Sequence, residues 1–195
     1  FLSRILGALY FINNIDDKDL VARSRRSLIG NSVLFLIFFL SFVIRTLLAD
    51  GYAVKPETGE IFMEPYKYLT NFIEMPVVLV LFLIGVVLVL FGIGKSLLKP
   101  KFDKGIWFTG IGTVLAVLAL LLVAGYNNTA YYPSTSDLQS SLTLANSCSS
   151  EFTLRVMFYV SFLVPFVLAY IFYAWRSIDI HKIDEKEMKD GGHSY

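Results

Sequence analysis

The side chains that most often perform redox or hydrolytic chemistry are few in this chain and lie outside its apolar stretches. Both histidines, His181 and His193, fall in the polar C-terminal tail, and Cys148 is the single cysteine. One cysteine forms no internal disulfide and no thiolate cage for zinc. Serines and aspartates have no histidine nearby, which leaves a hydrolytic triad unsupported. The sequence therefore predicts no catalytic residue and no metal site.

Haem in a membrane is usually held by histidine side chains within the spans. No histidine lies in an apolar stretch, which leaves Met75 and Met157 as the available axial ligands. A lone methionine in an apolar helix is far more often a packing residue. We therefore expect that this segment binds no haem of its own.

Charged residues lie near the ends of the apolar stretches: Arg45, Asp50, Glu74, Glu151 and Arg155. Charges at membrane depth commonly mark a proton or substrate path. Near the end of a span, however, a long side chain reaches the interface and pairs locally. We favour this second interpretation, so Arg45, Asp50 and Arg155 are structural candidates.

Gly51, Tyr52 and Pro165 are three further structural candidates. Gly51, in Asp50-Gly51-Tyr52, is expected to take the left-handed position that ends the first apolar helix, with Tyr52 as an interfacial anchor. Pro165, in the middle of the last apolar stretch, is expected to kink that helix. Close helix approach is expected at the glycines of the middle stretches, which are Gly85, Gly92, Gly94, Gly110 and Gly112.

Four long apolar stretches must position these residues. The 195-residue chain is 55% hydrophobic, with a mean hydropathy of +0.62. A hydrocarbon layer of about 30 Å requires roughly 20 apolar residues in a helix. The stretches do not alternate as barrel strands would, so helices are predicted. These spans are residues 28–49, 75–94, 106–126 and 152–175.

The predicted fold is an all-α, polytopic integral membrane protein with helix-bundle packing, formed by one transmembrane domain over residues 1–195. A soluble protein would have too little polar surface to cover four such helices. Residues 1–12 lack the features of a signal peptide and are interpreted as the end of a preceding, truncated helix of a longer protein. Aromatic residues mark the predicted interfaces: Tyr52, Trp107, Tyr126, Tyr131, Tyr132 and Trp175.

The connecting segments alternate in charge. Basic residues concentrate in residues 13–27, in 95–105 and after Trp175, whereas residues 127–151 contain no lysine or arginine. The positive-inside rule places the basic segments in the cytoplasm, including the tail 177–195 and the C-terminus. The formal net charge of +1 argues against a nucleic-acid partner.

Several segments, taken in order, resemble subunit II of the cytochrome bd quinol oxidases. The resemblance covers nearly the whole chain, and its most specific part is the serine-rich loop that leads into the last helix. The matching residues are Gly7-Ala8-Leu9-Tyr10, Arg23-Ser24-Arg25, Asp50-Gly51-Tyr52-Ala53-Val54-Lys55, Ser141-Leu142-Thr143, Ala145, Ser149-Ser150, Thr153-Leu154, Met157, Val164-Pro165-Phe166 and Tyr170.

This resemblance implies an accessory subunit without haem, located in the bacterial cytoplasmic (inner) membrane. Its partner, subunit I, would form a heterodimer with it, carry haems b and d, and oxidise quinol from the quinone pool while reducing dioxygen to water. Subunit II stabilises the complex, and in some members it holds a structural quinone. This chain would be the C-terminal part of the subunit, lacking the half that carries the acidic residues of the proton path.

A second hypothesis is a fragment of a secondary transporter or another polytopic permease. A transporter is expected to bind its substrate near the membrane midplane, between broken helices with polar groups. The second and third spans are almost free of polar residues, which counts against this hypothesis.

Overall fold

The computed structural model describes residues 1–99 and 101–178. Within them the chain forms seven α-helices, a two-stranded antiparallel sheet and one 3-10 turn, Leu138–Ser140. In chain order the elements are α1 Leu2–Asn14, α2 Lys18–Leu48, β1 Gly51–Val54, β2 Ile61–Glu64, α3 Lys67–Glu74, α4 Pro76–Leu98, α5 Gly105–Gly125, α6 Glu151–Ser161 and α7 Val164–Ile178.

Four helical segments are long and apolar enough to cross a membrane, which confirms the predicted fold class: α2, α4, α5 and the stretch Glu151–Ser177. The first of them begins ten residues before its predicted span. Asp17 caps α2 there, because its carboxylate accepts a hydrogen bond from the Leu20 amide at 2.7 Å. The basic residues after Asp17 are therefore helical, although they are too polar for lipid.

Helices α4 and α5 form a tight hairpin through small residues. A Cβ on Gly85 would lie 2.6 Å from the amide nitrogen of Ala116, and one on Gly112 would lie 2.6 Å from the carbonyl oxygen of Gly85. Gly92 approaches Thr109 in the same way. These three glycines allow the close approach expected from the sequence.

Gly94 and Gly110 do not take part in this close approach. A Cβ on either glycine would meet no atom within 4 Å. The prediction was wrong for these two positions because they face away from the α4–α5 contact.

The basic segments meet at one end of the molecule, the basic end, where residues 15–27, residue 99 and residues 101–104 lie. Arg25 in α2 donates from Nη1 to the Ser96 carbonyl at 2.5 Å, at the last turn of α4. A cation suits this position, because the last carbonyls of a helix carry partial negative charge. Beneath it, α1 buries Ile5, Leu9 and Ile12 against α2 and α4.

At the opposite end, the capped end, residues 50–75 and 126–150 form a lid over the spans. The turn of the β1–β2 hairpin includes Gly59 at a φ of 71°. Ala53 and Thr129 form an isolated bridge between the two loop segments. Both segments poor in lysine and arginine therefore share one end of the bundle, as the alternation of charge predicts.

The last span is broken at its proline. Helix α6 ends at Ser161, and α7 begins at Val164, so Phe162 and Leu163 are outside both helices. Pro165 has no amide hydrogen to donate to the Ser161 carbonyl four residues earlier, which explains the break and confirms the predicted kink. Residues 179–195, which include His181 and His193, lie outside the described residues.

Candidate functional site

Asn71 is the centre of the polar network at the capped end. This α3 side chain is fully buried, and its Nδ2 donates to the Val123 carbonyl and to Thr129 Oγ1, both at 2.8 Å. Its Oδ1 accepts a hydrogen bond from Asn127 Nδ2 at 3.0 Å. The Asn71 amide thus joins α3, the last turn of α5 and the loop that follows α5. Each of these hydrogen bonds replaces one that the buried amide can no longer make with water.

Asn127 extends this network to the surface. Its backbone and that of Asn128 are left-handed, with φ of 57° and 53°, a conformation that asparagine tolerates better than most residues. Its Nδ2 also donates to the Glu74 carboxylate. Glu74 is therefore held by a local partner, as the snorkelling interpretation of the charged residues near span ends requires.

Gly51 is not the left-handed cap that the sequence predicts. Helix α2 ends at Leu48 with Ala49 extended, and among the described glycines only Gly59 has a positive φ. Gly51 instead begins β1, and α3 crosses directly over it. A Cβ there would lie 2.5 Å from Lys67 Cβ, so the position requires glycine for space and not for backbone conformation.

Lys67 carries a buried ion pair above this glycine. Its side chain is only 8% exposed, and Nζ lies 3.2 Å from a carboxylate oxygen of Glu64. A buried cation is costly to leave unpaired, so Glu64 fixes how α3 follows β2. The sequence predicts only a connecting segment at both residues, and no local pattern indicates the pair.

Tyr68 and Tyr52 lie beside this ion pair. Burial raises the pKa of the Tyr68 phenol above its ordinary value of 10.0, and the nearby Tyr52 phenol raises it further. The backbone carbonyl of Tyr52 accepts a hydrogen bond from the Ala130 amide at 2.8 Å. Tyr52 therefore anchors the 126–150 loop through its backbone, and its role as an interfacial anchor stays a prediction.

The charged candidates are exposed. Arg155 pairs with Glu151 one turn earlier on α6, which confirms the local ion pairing expected of it. Arg45 lies in the last turn of α2, and Asp50 lies just before β1. The structure does not bring Arg45, Asp50 and Arg155 together into one site.

The serine-rich loop is held by its own polar side chains. Gln139 makes two hydrogen bonds with the backbone of Ile61 in β2, at 2.9 and 2.8 Å. The Ser141 hydroxyl accepts from the Ser134 amide and donates to the Leu138 carbonyl. The serine-rich loop, which carries the most specific part of the resemblance, therefore stabilises the lid by bonding to β2 and to itself.

The polar side chains of the capped end bond mainly to one another and to the backbone. Among residues 1–99 and 101–178, no three His, Cys, Asp or Glu side chains lie together as a metal would require. Glu64 pairs with Lys67, Glu74 accepts a hydrogen bond from Asn127, and Cys148 is exposed.

Sequence reasoning missed the β1–β2 hairpin, α3 and the role of Asn71. The apolar runs on either side of Lys55-Pro56-Glu57-Thr58-Gly59-Glu60 are a recognisable hairpin signal, because proline and glycine mark the turn. Nothing in the local sequence marks Asn71, since its partners are more than fifty residues away.

Fold and site together define a multi-pass α-helical membrane protein whose spans are closed at one end by a polar lid. The chain matches the family described as cytochrome bd terminal oxidase subunit II over residues 1–178, and it belongs to that family. It is similar to the cytochrome bd-I ubiquinol oxidase subunit 2 of Escherichia coli strains K12, O6:H1 and O157:H7.

Each of these relatives is 29% identical to the chain over 158 residues, which is 74% of this chain and 40% of the relative. The chain thus spans about two fifths of the length of these curated relatives. The family match confirms the resemblance found in the sequence and favours an oxidase component over a transporter fragment.

Proposed function

We propose that this chain is part of an accessory subunit without haem in a cytochrome bd-type quinol:dioxygen oxidoreductase. Its task is to stabilise the haem-bearing subunit I, which oxidises quinol and reduces oxygen to water. The single observation that carries this proposal is the family match over residues 1–178.

The exposed last span supports a role in assembly. In the most apolar part of Glu151–Ser177, no residue is buried by the described part of the chain. Its aromatic side chains are widely exposed, including Phe152, Phe166 and Tyr170 at more than 70%. Because lipid tails solvate apolar side chains well, close fit to another protein surface is what makes such a helix associate.

The described residues of this chain offer poor ligands for haem. The iron is most often held by a histidine, methionine or thiolate group that points at it from within the protein. The described residues contain no histidine, Met75 lies at the α3–α4 junction, Met157 is exposed on α6, and Cys148 is in a loop. We therefore assign haems b and d to subunit I.

A structural quinone fits this chain only in part. A groove of about 380 Å³ between α2, α4 and α5 is lined by apolar side chains such as Phe39, Leu40, Val89 and Val117. The hydroxyl of Thr113, which also lines it, donates to the Thr109 carbonyl. The groove suits an isoprenoid tail, but its lining offers no free donor for a quinone head group.

The proposed location is the bacterial inner membrane, with the basic end and the C-terminus in the cytoplasm. The support is the charge of the connecting segments, because residues 126–150 at the capped end contain no lysine or arginine.

The test is to express the natural full-length protein with and without subunit I and to record absorption spectra. We expect no haem Soret band from the protein purified alone. We also expect subunit I to lose most of its haem when this protein is deleted, because an uncovered apolar surface destabilises the partner.

A Soret band in the protein purified alone would remove the haem-free assignment. A full haem complement in subunit I without this protein would remove the stabilising role. Re-expression of the deleted gene serves as the control, and it should restore the haem content of the membranes.

A further inference from the structure

A cleft at the basic end lies between α7 and the ends of α1 and α5. Its volume is about 870 Å³, which is in the range of pockets that hold whole small ligands. Asn13 and the start of α5 form one wall, and α7 forms the other with Leu168, Ile171 and Phe172. One part of the cleft is therefore apolar and faces the span, and the other part is polar and faces the end of the bundle.

Two cations line the cleft, and no carboxylate is among its other lining residues. Lys104 comes from the start of α5 and Arg176 from the last turn of α7. Within residues 1–99 and 101–178, neither cation lies within 4 Å of a carboxylate oxygen, whereas Lys55, Lys67 and Arg155 all do. Among the described residues that line the cleft, none therefore supplies a negative charge to complement the two cations.

Both tryptophans of the chain line the same cleft. Trp107 is one turn into α5, and Trp175 precedes Arg176 on α7. Tryptophan prefers the depth of lipid head groups, where its ring is in an apolar layer and its indole N–H finds polar partners. Their position sets the cleft at the interface and not in water.

We propose that this cleft binds an anionic phospholipid. The head-group phosphate takes the charge of Lys104 and Arg176, and the acyl chains run along Leu168, Ile171 and Phe172. Basic pockets between transmembrane helices suit such head groups. A free phosphate ion would leave the apolar wall without contacts, so the lining favours a lipid.

The test uses native mass spectrometry of the natural full-length protein, stripped of lipid in detergent. It is titrated with dioleoyl phosphatidylglycerol, with dioleoyl phosphatidylcholine and with inorganic phosphate in parallel. We expect one phosphatidylglycerol to be retained at concentrations where phosphatidylcholine and phosphate are not. The double variant Lys104→Gln/Arg176→Gln should weaken this retention on the order of tenfold, because two charge-assisted contacts are lost.

The matched control is Lys101→Gln/Arg26→Gln, which removes the same charge from exposed positions at the same end but outside the cleft. It should change the retention by less than about twofold, whereas long-range attraction alone would make both variants equal. The variant Lys104→Arg/Arg176→Lys keeps both positive charges and should preserve binding. It therefore shows whether the weaker binding of the glutamine variant comes from lost charge or from disturbed folding.

Equal retention of the two lipids, or equal losses in site and control variants, would overturn the proposal. So would a preference for phosphatidylglycerol that appears only after residues 179–195 are removed, because the acidic side chains of this mixed-charge tail would then be the natural partners of the two cations.

Discussion

Gly51 lies directly beneath α3, where the Cβ of Lys67 leaves no room for a side chain. The sequence marks it because glycine follows an apolar stretch and often ends a helix there. The decisive contact is with Lys67, sixteen positions later, and no local pattern reveals a crossing element. The lack of space at Gly51 depends on tertiary structure and cannot be read from nearby residues. Pro165, in contrast, breaks the helix in which it lies, so its effect could be predicted.

Gly51→Val should lower the amount of folded protein, because its Cβ would overlap Lys67 Cβ. The loss should exceed about 2 kcal/mol, since backbone elements and not a flexible side-chain end must move. The yield of monodisperse protein on gel filtration measures it. Gly94→Val is the control, because no atom lies near that position, although valine has a small helix-propensity cost.

A rescue experiment distinguishes the crowding from a backbone effect. Lys67→Gly removes the Cβ that Gly51 approaches, so the combination Gly51→Ala/Lys67→Gly should lose less stability than the two single losses added together. Strict additivity would contradict the crowding explanation.

Asn71→Leu should cost about 2–4 kcal/mol of unfolding free energy, because the buried Val123 carbonyl and the Asn127 amide both lose a bonding partner. Thermal unfolding in detergent measures it. Asn127→Gly, which keeps the left-handed backbone favourable and removes only the outer bonds, should have a smaller effect. An equal effect of the two variants would show that Asn71 is not the centre of the network.

At the scale of elements, hydropathy predicted the spans but not the strands and the short helix that lie between them. Helices α4 and α5 can be predicted from their apolar length alone. In lipid every backbone N–H and C=O must be hydrogen-bonded within the segment, so the helix forms regardless of its neighbours. Residues 50–75 and 126–150 face water and each other, so β1, β2 and α3 depend on pairing between distant segments. That is why the spans were predicted and the lid was not.

The α4–α5 hairpin allows a matched pair of variants on one helix. Gly112→Ala should destabilise the hairpin by about 1–3 kcal/mol, because the new methyl group would lie 2.6 Å from the Gly85 carbonyl. Gly110→Ala, two residues earlier and with no atom nearby, should be neutral or stabilising by up to about 1 kcal/mol. Unfolding by increasing dodecyl sulfate in mixed micelles measures both. Similar losses would contradict the packing assigned to Gly112.

At the scale of the whole molecule, the orientation can be tested at the lone cysteine. Cys148 is exposed in the capped-end loop, which contains no lysine or arginine. An impermeant maleimide added to intact spheroplasts should label it, since the positive-inside rule places this end in the periplasm.

Cys148→Ser identifies the labelled position, because the signal must disappear in that variant. Labelling that occurs only after the cytoplasmic side is opened would invert the orientation. The location of the basic end in the cytoplasm would then be wrong as well.

The glycine contacts of α4 and α5 also affect the order in which the helices pack together during synthesis. Only six residues, 99–104, separate these two helices, so their contacts form between neighbours in sequence and need little loop closure. The hairpin is therefore complete soon after α5 has left the insertion channel. The stretch from α6 to α7 emerges later, and no residue of its apolar core is buried by the described part of the chain. Until a partner covers it, we expect membrane proteases and chaperones to act on this segment before the hairpin.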